Sequence, residues 1–176
     1  MTTTPEFDPD ASWLPFEAKI ATETDPRRRA NLERVRDHMR TEIGGDFDGL
    51  MATLVDAPRY HFWGIPVESG PKGRDAVEAF YRQMIDNEGH RFHFDVRRIA
   101  VDHDTVVTEG SIHQPVDVAA LRASGIEKLD GRMLDDGETI LAETQIVTVW
   151  PIAEDGQIIG EDIYFGSPPL SRLRRA

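Results

Sequence analysis

The 176-residue sequence predicts an α+β fold, with helices gathered in its N-terminal half and antiparallel strands in its C-terminal half. Two observations support this prediction. Between residues 26 and 87, apolar residues recur three or four positions apart, which is the spacing of amphipathic helices. From residue 91 onward, apolar and polar residues alternate instead, as they do in half-buried strands.

The first predicted helix begins at Pro26 and ends before Gly44-Gly45. Asp25 is a good capping residue, and proline suits the first helical position because its missing N–H would have no partner there. The glycine pair ends the helix because glycine readily adopts the left-handed conformation that follows a last turn. The apolar stripe of this helix consists of Leu32, Val35, Met39 and Ile43.

A second helix is predicted from Asp46 to Asp56, and a third from Arg74 to Asn87. Ala57-Pro58 stops the second helix, because proline lacks the N–H that would continue it. Between the two helices lie an aromatic-rich strand, 59–64, and a loop rich in proline and glycine, 65–72.

The C-terminal half is predicted to form two β-hairpins. The predicted strands are 91–101, 105–113, 144–152 and 157–165. The stretch between the hairpins, 115–140, has no regular pattern apart from a short helix expected at Val116–Ala123.

The chain is long enough for one domain, which we expect to span residues 26–166. Residues 1–25 are predicted to be an N-terminal arm without regular structure, and residues 167–176 a basic C-terminal tail. The arm carries three apolar side chains that we expect to pack onto the body: Trp13, Leu14 and Phe16.

The composition limits the partners of the protein. A formal net charge of −12 repels phosphates, so neither nucleic acid nor an anionic membrane surface is an expected partner. The basic residues cluster at 27–29 and at 172–175, and both clusters are expected to be solvated. The chain has no cysteine and no apolar leader, so we expect a soluble, cytoplasmic protein.

Several motifs resemble those of a known family. They are Gly45-Asp46-Phe47-Asp48-Gly49-Leu50-Met51, the Tyr60 strand, Gly73-Arg74-Asp75-Ala76-Val77-Glu78-Ala79-Phe80-Tyr81, and Asp155-Gly156-Gln157-Ile158-Ile159. In this order they resemble the NTF2-like superfamily and its SnoaL-like branch. The resemblance implies an α+β cone, in which a strongly curved antiparallel sheet wraps around three N-terminal helices and encloses a pocket. It also implies a homodimer, formed through the outer face of the sheet.

Members of this superfamily include isomerases, dehydratases, cyclases, epoxide hydrolases and proteins that only bind ligands, so the fold alone does not define the reaction. Scytalone dehydratase looks similar around His93 and His113, with a pocket tyrosine at Tyr60. Limonene epoxide hydrolase looks similar at Tyr60 and Asp162. The hydrolase also needs an Arg and a second Asp, at positions that are Gly110 and Ile112 here.

The strand pattern leaves open which face of the sheet points into the cone. On the strand from 91 to 101, Phe92, Phe94 and Val96 share one face, and His93 and Asp95 share the other. Either the apolar face lines the cone, or the histidines point inward, as the dehydratase comparison implies. A bulge could reconcile the two comparisons.

The candidate catalytic residues can all exchange protons near neutral pH or polarise an oxygen. They form two groups, His93 with Asp95 and His113, and Tyr60 with Asp162 and Tyr164. Glu161 is expected to point away from Asp162. The pair of His38 and Glu42 shares a face of the first helix that borders the apolar stripe; this face could rim the pocket, but the favoured interpretation is a solvated pair.

An aromatic pocket wall favours a small apolar or aromatic ligand. The expected ligand contacts are Phe62, Trp63, Phe80, Met84 and Trp150. No compact metal-ligand motif or phosphate loop is present, so neither a metal nor a cofactor is expected. The leading hypothesis is a dehydratase, isomerase or cyclase that uses general acid/base catalysis. The alternatives are a non-catalytic binding or interaction module and, more weakly, an enzyme like the epoxide hydrolases.

Overall fold

A computed structural model describes residues 7–64, 69–168 and 170–176. The first six residues of the predicted arm, residues 65–68 of the predicted loop and residue 169 of the predicted tail lie outside these ranges. The helices are a 3₁₀ helix at Pro9–Trp13 and α1 (Leu14–Ile20), α2 (Pro26–Gly44), α3 (Phe47–Ala52), α4 (Arg74–Asp86) and α5 (Val118–Ala123). The strands are β1 (Leu54–Trp63), β2 (His93–Val101), β3 (Thr105–Val116), β4 (Lys128–Leu129), β5 (Arg132–Met133), β6 (Ile140–Pro151), β7 (Ile158–Phe165) and β8 (Leu173–Arg175).

One curved, open sheet carries the fold, with strands in the order β1-β7-β6-β3-β2 and with β8 paired to β6. The pairs among β2, β3, β6, β7 and β8 are antiparallel, and β1 runs parallel to β7. The main core lies between this sheet and the helices, where Val35 and Leu50 meet Val106 and Ile158. The predicted α+β class and the curved sheet around helices are confirmed, with one parallel pair added.

A bulge in β2 lies where the two predicted strand faces could have exchanged. Val96 pairs with Gly110 and Arg98 with Glu109, so Arg97 is the extra residue. At this point the two backbones approach closely, since a Cβ on Gly110 would lie only 2.1 Å from the carbonyl oxygen of Asp95. The bulge comes after Asp95 in the chain, so it does not turn the preceding residues to the other face.

The second helix is shorter than predicted. It ends at Ala52, and β1 begins at Leu54, five residues before the predicted strand start. Pro58 therefore lies inside a strand rather than after a helix. An edge strand tolerates this, because β1 has only β7 as a full neighbour and the carbonyl of Pro58 accepts a hydrogen bond from Gly73.

The described part of the N-terminal arm is regular, contrary to the prediction. Its 3₁₀ helix lies along the free edge of β2, where the hydroxyl of Ser12 accepts a hydrogen bond from the backbone N–H of Phe94 at 3.0 Å. Phe16 is fully buried, whereas Leu14 is 57% exposed. One of the three expected anchors therefore faces solvent, and the arm also protects an edge strand that would otherwise present unpaired donors.

The basic clusters are structural rather than solvated. Arg27 donates to the backbone carbonyl of His103 at 2.9 Å and to that of Glu154 at 3.0 Å, so it ties α2 to two strand turns. Arg175, on β8, forms an ion pair with Glu138. A guanidinium group can link elements of the fold in this way because its planar set of N–H donors reaches several acceptors at once.

In the described ranges, none of the helices combines the length and the apolar character that a membrane-spanning helix needs.

Candidate active site

A cavity of about 300 Å³ lies between the inner face of the sheet and the helices. Its wall is mostly aromatic and aliphatic. The lining residues are Met39, Glu42, Phe62, Phe80, Met84, Gly89, Phe92, Phe94, Ile112, Gln114, Ile146, Thr148, Trp150, Glu161, Ile163 and Phe165. The polar side chains that face this apolar space are therefore few, and two of them are carboxyl groups.

Alternation along β7 brings Glu161, Ile163 and Phe165 to the cavity. Asp162 consequently lies on the outer face, together with Tyr164, which is 47% exposed. The expectation had these two residues inside and Glu161 pointing away, and the observed geometry is the reverse. The wrong face was assigned to the inside. Alternation along a strand shows which residues share a face, but it does not show which face points into the cavity.

On β2 and β3, Phe94 and Ile112 line the cavity, so His93, Asp95 and His113 lie on the opposite face. His93 and His113 are directly paired across the two strands, with ring centroids 5.9 Å apart. Both imidazoles are buried. The apolar face lines the cone, and the inward placement suggested by the dehydratase comparison does not occur.

Four of the five expected ligand contacts, Phe62, Phe80, Met84 and Trp150, line the cavity. The fifth, Trp63, lies on the outer face and is 37% exposed. There it stacks against His61 and Tyr164, with ring centroids 5.6 Å and 6.2 Å away.

Behind one wall of the cavity, two tyrosine hydroxyls form a buried chain that ends on Glu161. The hydroxyl of Tyr81 donates to Oε1 of Glu161 at 3.2 Å. The hydroxyl of Tyr60 lies 2.7 Å from that of Tyr81 and, because the Tyr81 proton is already used, acts as the donor to it. Tyr60, one of the predicted catalytic residues, thus belongs to a network that also contains Glu161.

His38 joins the same network from α2 and is fully buried. Thr53 donates its hydroxyl proton to the carbonyl of Leu50 at 2.6 Å, so it accepts from Nδ1–H of His38 at 2.7 Å. Nε2 of His38 then faces the hydroxyl of Tyr81 at 3.2 Å and Oε1 of Glu161 at 3.4 Å. Nδ1 is held by the bond to Thr53, so Nε2 is the ring nitrogen that faces the rest of the network.

Glu42 lies one turn beyond His38 and faces the cavity. Burial raises the pKa of this carboxyl well above its ordinary value, and the nearby charge of Glu161 raises it further. Glu42 therefore keeps its proton at pH values at which an exposed glutamate loses it. The expectation of a solvated His38–Glu42 pair was wrong, because Trp150 and Tyr81 pack over His38 with ring centroids 5.5 Å and 6.1 Å away.

The phenols of this network are held in their neutral form. Burial raises the pKa of Tyr60 and that of Tyr81 well above the usual range, and the charge of Glu161 adds to both effects. Both hydroxyls therefore keep their protons at pH values at which an exposed tyrosine ionises.

His38, Glu42 and Glu161 each place a nitrogen or oxygen within 4.8 Å of the others, a spacing that a divalent cation could bridge. His38 and Glu161 are already linked by hydrogen bonds through Tyr81, and a cation would require Glu42 to give up its proton. We therefore interpret the cluster as a group of residues that share protons.

These features define a class: a protein of the NTF2-like superfamily, with titratable side chains at one wall of an apolar cavity. The chain belongs to the SnoaL-like domain family, whose model matches residues 35–160. Comparison with the sequences of curated proteins gave no match.

Solved structures with the same fold carry different activities. A protein described as a SnoaL-like polyketide cyclase, from Jannaschia sp. CCS1, is 19% identical, with a TM-score of 0.58 over 82% of this chain and 91% of that one. An LEH-like epoxide hydrolase from Mycobacterium tuberculosis is 20% identical, with a TM-score of 0.54 over 80% and 85%. Another M. tuberculosis protein, in complex with estradiol-17β-hemisuccinate, is 18% identical, with a TM-score of 0.55 over 82% and 98%. At these identities the likeness supports the fold alone.

Proposed function

We propose that the protein is a cofactor-independent enzyme that moves a proton on a small, largely apolar molecule, in a dehydration, an isomerisation or a cyclisation. The observation that carries this proposal is the meeting of Glu42 and Glu161 at one apolar cavity. Environments that push the proton affinities of two neighbouring carboxyl groups apart are typical of an acid and base pair.

In this proposal Glu161 is the general base and Glu42 the general acid. Glu161 takes a proton from a carbon next to a carbonyl or hydroxyl group. Glu42 gives its proton to the oxygen, which becomes the hydroxyl of an enol in an isomerisation and leaves as water, with cleavage of its C–O bond, in a dehydration. Tyr81 and His38 position Glu161, and the apolar wall strengthens each of these interactions because it excludes water.

The size and lining of the cavity support a small hydrophobic substrate. A volume of about 300 Å³ is at the lower end of the range of about 300–1,000 Å³ that is usual for ligand pockets. The solved neighbours support the same chemistry, since one is described as a polyketide cyclase and another holds a steroid derivative. Phe62, Phe80 and Trp150 would contact the ring system of such a ligand.

The proposal can be tested without knowing the natural substrate. Small aromatic and alicyclic ketones are incubated with the protein in deuterated water, and NMR follows deuterium uptake next to the carbonyl. We expect Glu161→Gln to lower the exchange rate at least about 100-fold, the usual contribution of a general base. Its neighbour on the outer face provides the matched control, and Asp162→Asn should retain the wild-type rate. Loss in Asp162→Asn with retention in Glu161→Gln would reverse the assignment.

A second candidate is a protein that binds a ligand without transforming it. The observation in its favour is that the hydroxyls of Tyr60 and Tyr81 already bond to each other. This candidate predicts that the ketones bind, by calorimetry, without any deuterium uptake. An epoxide hydrolase-like activity is the weaker alternative, because no Lys or Arg side chain lines the cavity among the described residues.

We also propose a cytoplasmic homodimer that associates through the outer face of the sheet. The exposed aromatic row of His61, Trp63 and Tyr164 on that face supports it. Analytical ultracentrifugation of the wild type and of Trp63→Arg tests this, since the variant should sediment as a monomer. A wild type that sediments as a monomer would contradict it.

The division of the chain into a domain and two extensions is likewise a proposal. We propose that residues 26–166 form the SnoaL-like domain and that the arm (1–25) and tail (167–176) support it. Phe16 and the pairing of β8 with β6 favour this division. Deletion of residues 1–25 should lower the melting temperature, because it uncovers the edge of β2, and leave a folded protein by circular dichroism.

A further inference from the structure

Thr148 places a hydroxyl group in the apolar wall of the cavity. On the inner face of β6 it lies between Ile146 and Trp150, which line the cavity with it. The side chain of Thr148 is only 1% exposed, and its hydroxyl has no hydrogen-bond partner among the residues that the structure describes. A buried hydroxyl without a partner is costly to the fold, so its presence needs a physical explanation.

The threonine on the neighbouring strand has a structural partner. Thr108, on β3, pairs directly with Thr148 and is fully buried. Its hydroxyl accepts a hydrogen bond from Nε1 of Trp150 at 3.0 Å, and its side chain does not line the cavity. The two threonines therefore differ in role, because Thr108 holds the indole of the cavity wall and the hydroxyl of Thr148 faces the space where a ligand would lie.

Thr148 lies close to the carboxyl group that the proposed function uses as a base. It pairs across β6 and β7 with Ile163, and Glu161 lies two residues before Ile163 on the same inner face. Diagonal neighbours of this kind have Cβ atoms about 7–8 Å apart. That distance corresponds to a few bonds of a small molecule, so a substrate that reacts at Glu161 can place another of its atoms beside the hydroxyl of Thr148.

The surroundings of Thr148 favour a neutral oxygen as its partner. Within the described ranges the ionisable groups that line the cavity are Glu42 and Glu161, and neither a lysine nor an arginine lines it. An anionic group of a ligand would lose its hydration here without gaining a cationic partner, which is unfavourable. A carbonyl or ether oxygen loses less on transfer from water, and it accepts the one proton that the hydroxyl of Thr148 can donate.

We propose that Thr148 binds a second, neutral oxygen of the substrate, a few bonds away from the carbon at which Glu161 acts. The position of the reacting carbon rests on the function proposed above. The substrate class is thereby narrowed to small apolar ketones that carry a further carbonyl or ether oxygen. Thr148 selects these over plain ketones, because an analogue without the second oxygen leaves a buried hydroxyl unpaired in the complex.

The test compares 2-tetralone with its monomethoxy derivatives, one for each position of the aromatic ring, in the wild type and in Thr148→Val. Valine keeps the shape of threonine and lacks the hydroxyl. Calorimetry gives the affinities, and each ketone is compared with itself in the two proteins, so that differences among the ketones cancel. We expect at least one methoxy ketone to bind about fivefold to tenfold more weakly to the variant, while 2-tetralone changes less than about twofold. An equal change for every ketone, or no change for any, would overturn the proposal.

Two matched variants separate ligand binding from structure. Thr144→Val makes the same change on the same strand, outside the cavity, and should alter none of the affinities. Without ligand, Thr148→Val should melt no lower than the wild type, because its hydroxyl has no partner to lose, whereas Thr108→Val should melt lower, because it leaves Nε1 of Trp150 unpaired. Melting temperatures lowered equally in Thr148→Val and Thr108→Val would show a structural hydroxyl and would overturn the proposal.

The outcome is separable from that of the proposed function. If Glu161→Gln loses deuterium exchange while Thr148→Val affects all the ketones alike, the role of Thr148 fails and the catalytic proposal stands. If Glu161→Gln retains full exchange while Thr148→Val weakens only the binding of a methoxy ketone, the catalytic proposal fails and Thr148 remains a residue that selects the ligand.

Discussion

The carboxyl groups of Glu42 and Glu161 come from a helix and a strand that are more than a hundred residues apart in the chain, and they meet within 4.8 Å at one cavity. Neither carboxyl has an arginine or lysine partner among the described ion pairs. Two carboxylates this close in an apolar space cannot both ionise at little cost. The pair must therefore share a proton, which is what acid/base catalysis requires.

Glu42→Gln should change the dependence of stability on pH. The pKa of Glu42 is raised in the folded state, so the contribution of this carboxyl to stability is complete below the ordinary value of 4.5 and is lost as pH rises from there through the raised value. Each pKa unit of that difference corresponds to about 1.4 kcal/mol. The glutamine cannot ionise, so we expect a higher melting temperature than the wild type at about pH 8 and a flatter profile between about pH 5 and 8.

Thermal unfolding across this pH range, followed by circular dichroism, measures the effect. Glu33→Gln is the control, because Glu33 lies on the same helix and outside the cavity. The melting temperature should change less with pH in Glu42→Gln than in Glu33→Gln, which should follow the wild type. A Glu42→Gln profile parallel to that of the wild type would contradict the raised pKa of Glu42.

Tyr81→Phe should be more harmful than Tyr60→Phe. Tyr81 donates to Glu161 and accepts from Tyr60, so its loss leaves a buried hydroxyl and a carboxylate without their partner. Leaving a buried polar group unpaired costs about 1–3 kcal/mol. Tyr60 bonds to Tyr81 at 2.7 Å and also interacts with Glu161, so its removal leaves Tyr81 in place as a donor to Glu161.

Urea denaturation and the deuterium exchange rate, measured on both variants, test this order. We expect Tyr81→Phe to lose both stability and at least about tenfold in rate, while Tyr60→Phe loses less of each. The opposite order would mean that Tyr60, and not Tyr81, is the main hydroxyl donor to Glu161.

His113 should make the protein sensitive to acid. Burial lowers the pKa of this imidazole, and the positive charge of Arg174 and the proximity of His93 lower it further, against the opposite effects of Glu143 and Asp95. Its stabilising contribution is complete above the ordinary value of 6.5 and is lost as pH falls from there through the lowered value. Nδ1 of His113 is buried without a hydrogen-bond partner, so an apolar ring can replace the imidazole.

His113→Phe should therefore unfold at a higher temperature than the wild type at about pH 5 and resemble it at about pH 7.5. Differential scanning calorimetry at the two pH values gives the comparison. A variant that is destabilised equally at both values would show that the imidazole makes a contact that matters in its neutral form.

Gly110→Ala, at the bulge between β2 and β3, should strongly lower the free energy of unfolding. The added methyl group would lie 2.1 Å from the carbonyl oxygen of Asp95, so the backbone of β2 or β3 must move. We expect a loss of more than about 2 kcal/mol in urea denaturation. Gly44→Ala is the control, since a Cβ there meets nothing within 4 Å, and it should be neutral or slightly stabilising. A loss of stability in Gly110→Ala as small as that in Gly44→Ala would mean that β2 and β3 can move apart at the bulge at little cost.

The sequence predicted the α+β class, the first helix with its cap, and four aromatic or apolar residues of the cavity wall. These features follow from local rules, because a cap, a proline and an apolar stripe act within a few residues. The choice between Glu161 and Asp162 could not follow from such rules, since alternation is the same for either face of β7. It depends on the partners of the strand, which come from β1 and β6.

His38 and Glu42 show a second limit. Their spacing puts them on one face of α2 beside the apolar stripe, a signal that could have suggested a buried pair. Whether a residue at the border of an apolar stripe is exposed to solvent or buried depends on which side chains pack over it. Here Tyr81 and Trp150 cover it, and they are more than forty and one hundred residues away in the chain.

The most direct test of the account is the infrared spectrum of the protein with isotope-labelled glutamate, recorded at about pH 7. A protonated carboxyl absorbs at a frequency well separated from that of carboxylates. We predict one protonated glutamate band in the wild type that is absent in Glu42→Gln and present in Glu33→Gln. A wild-type spectrum in which every glutamate is ionised would contradict the shared proton, and with it the assignment of acid and base.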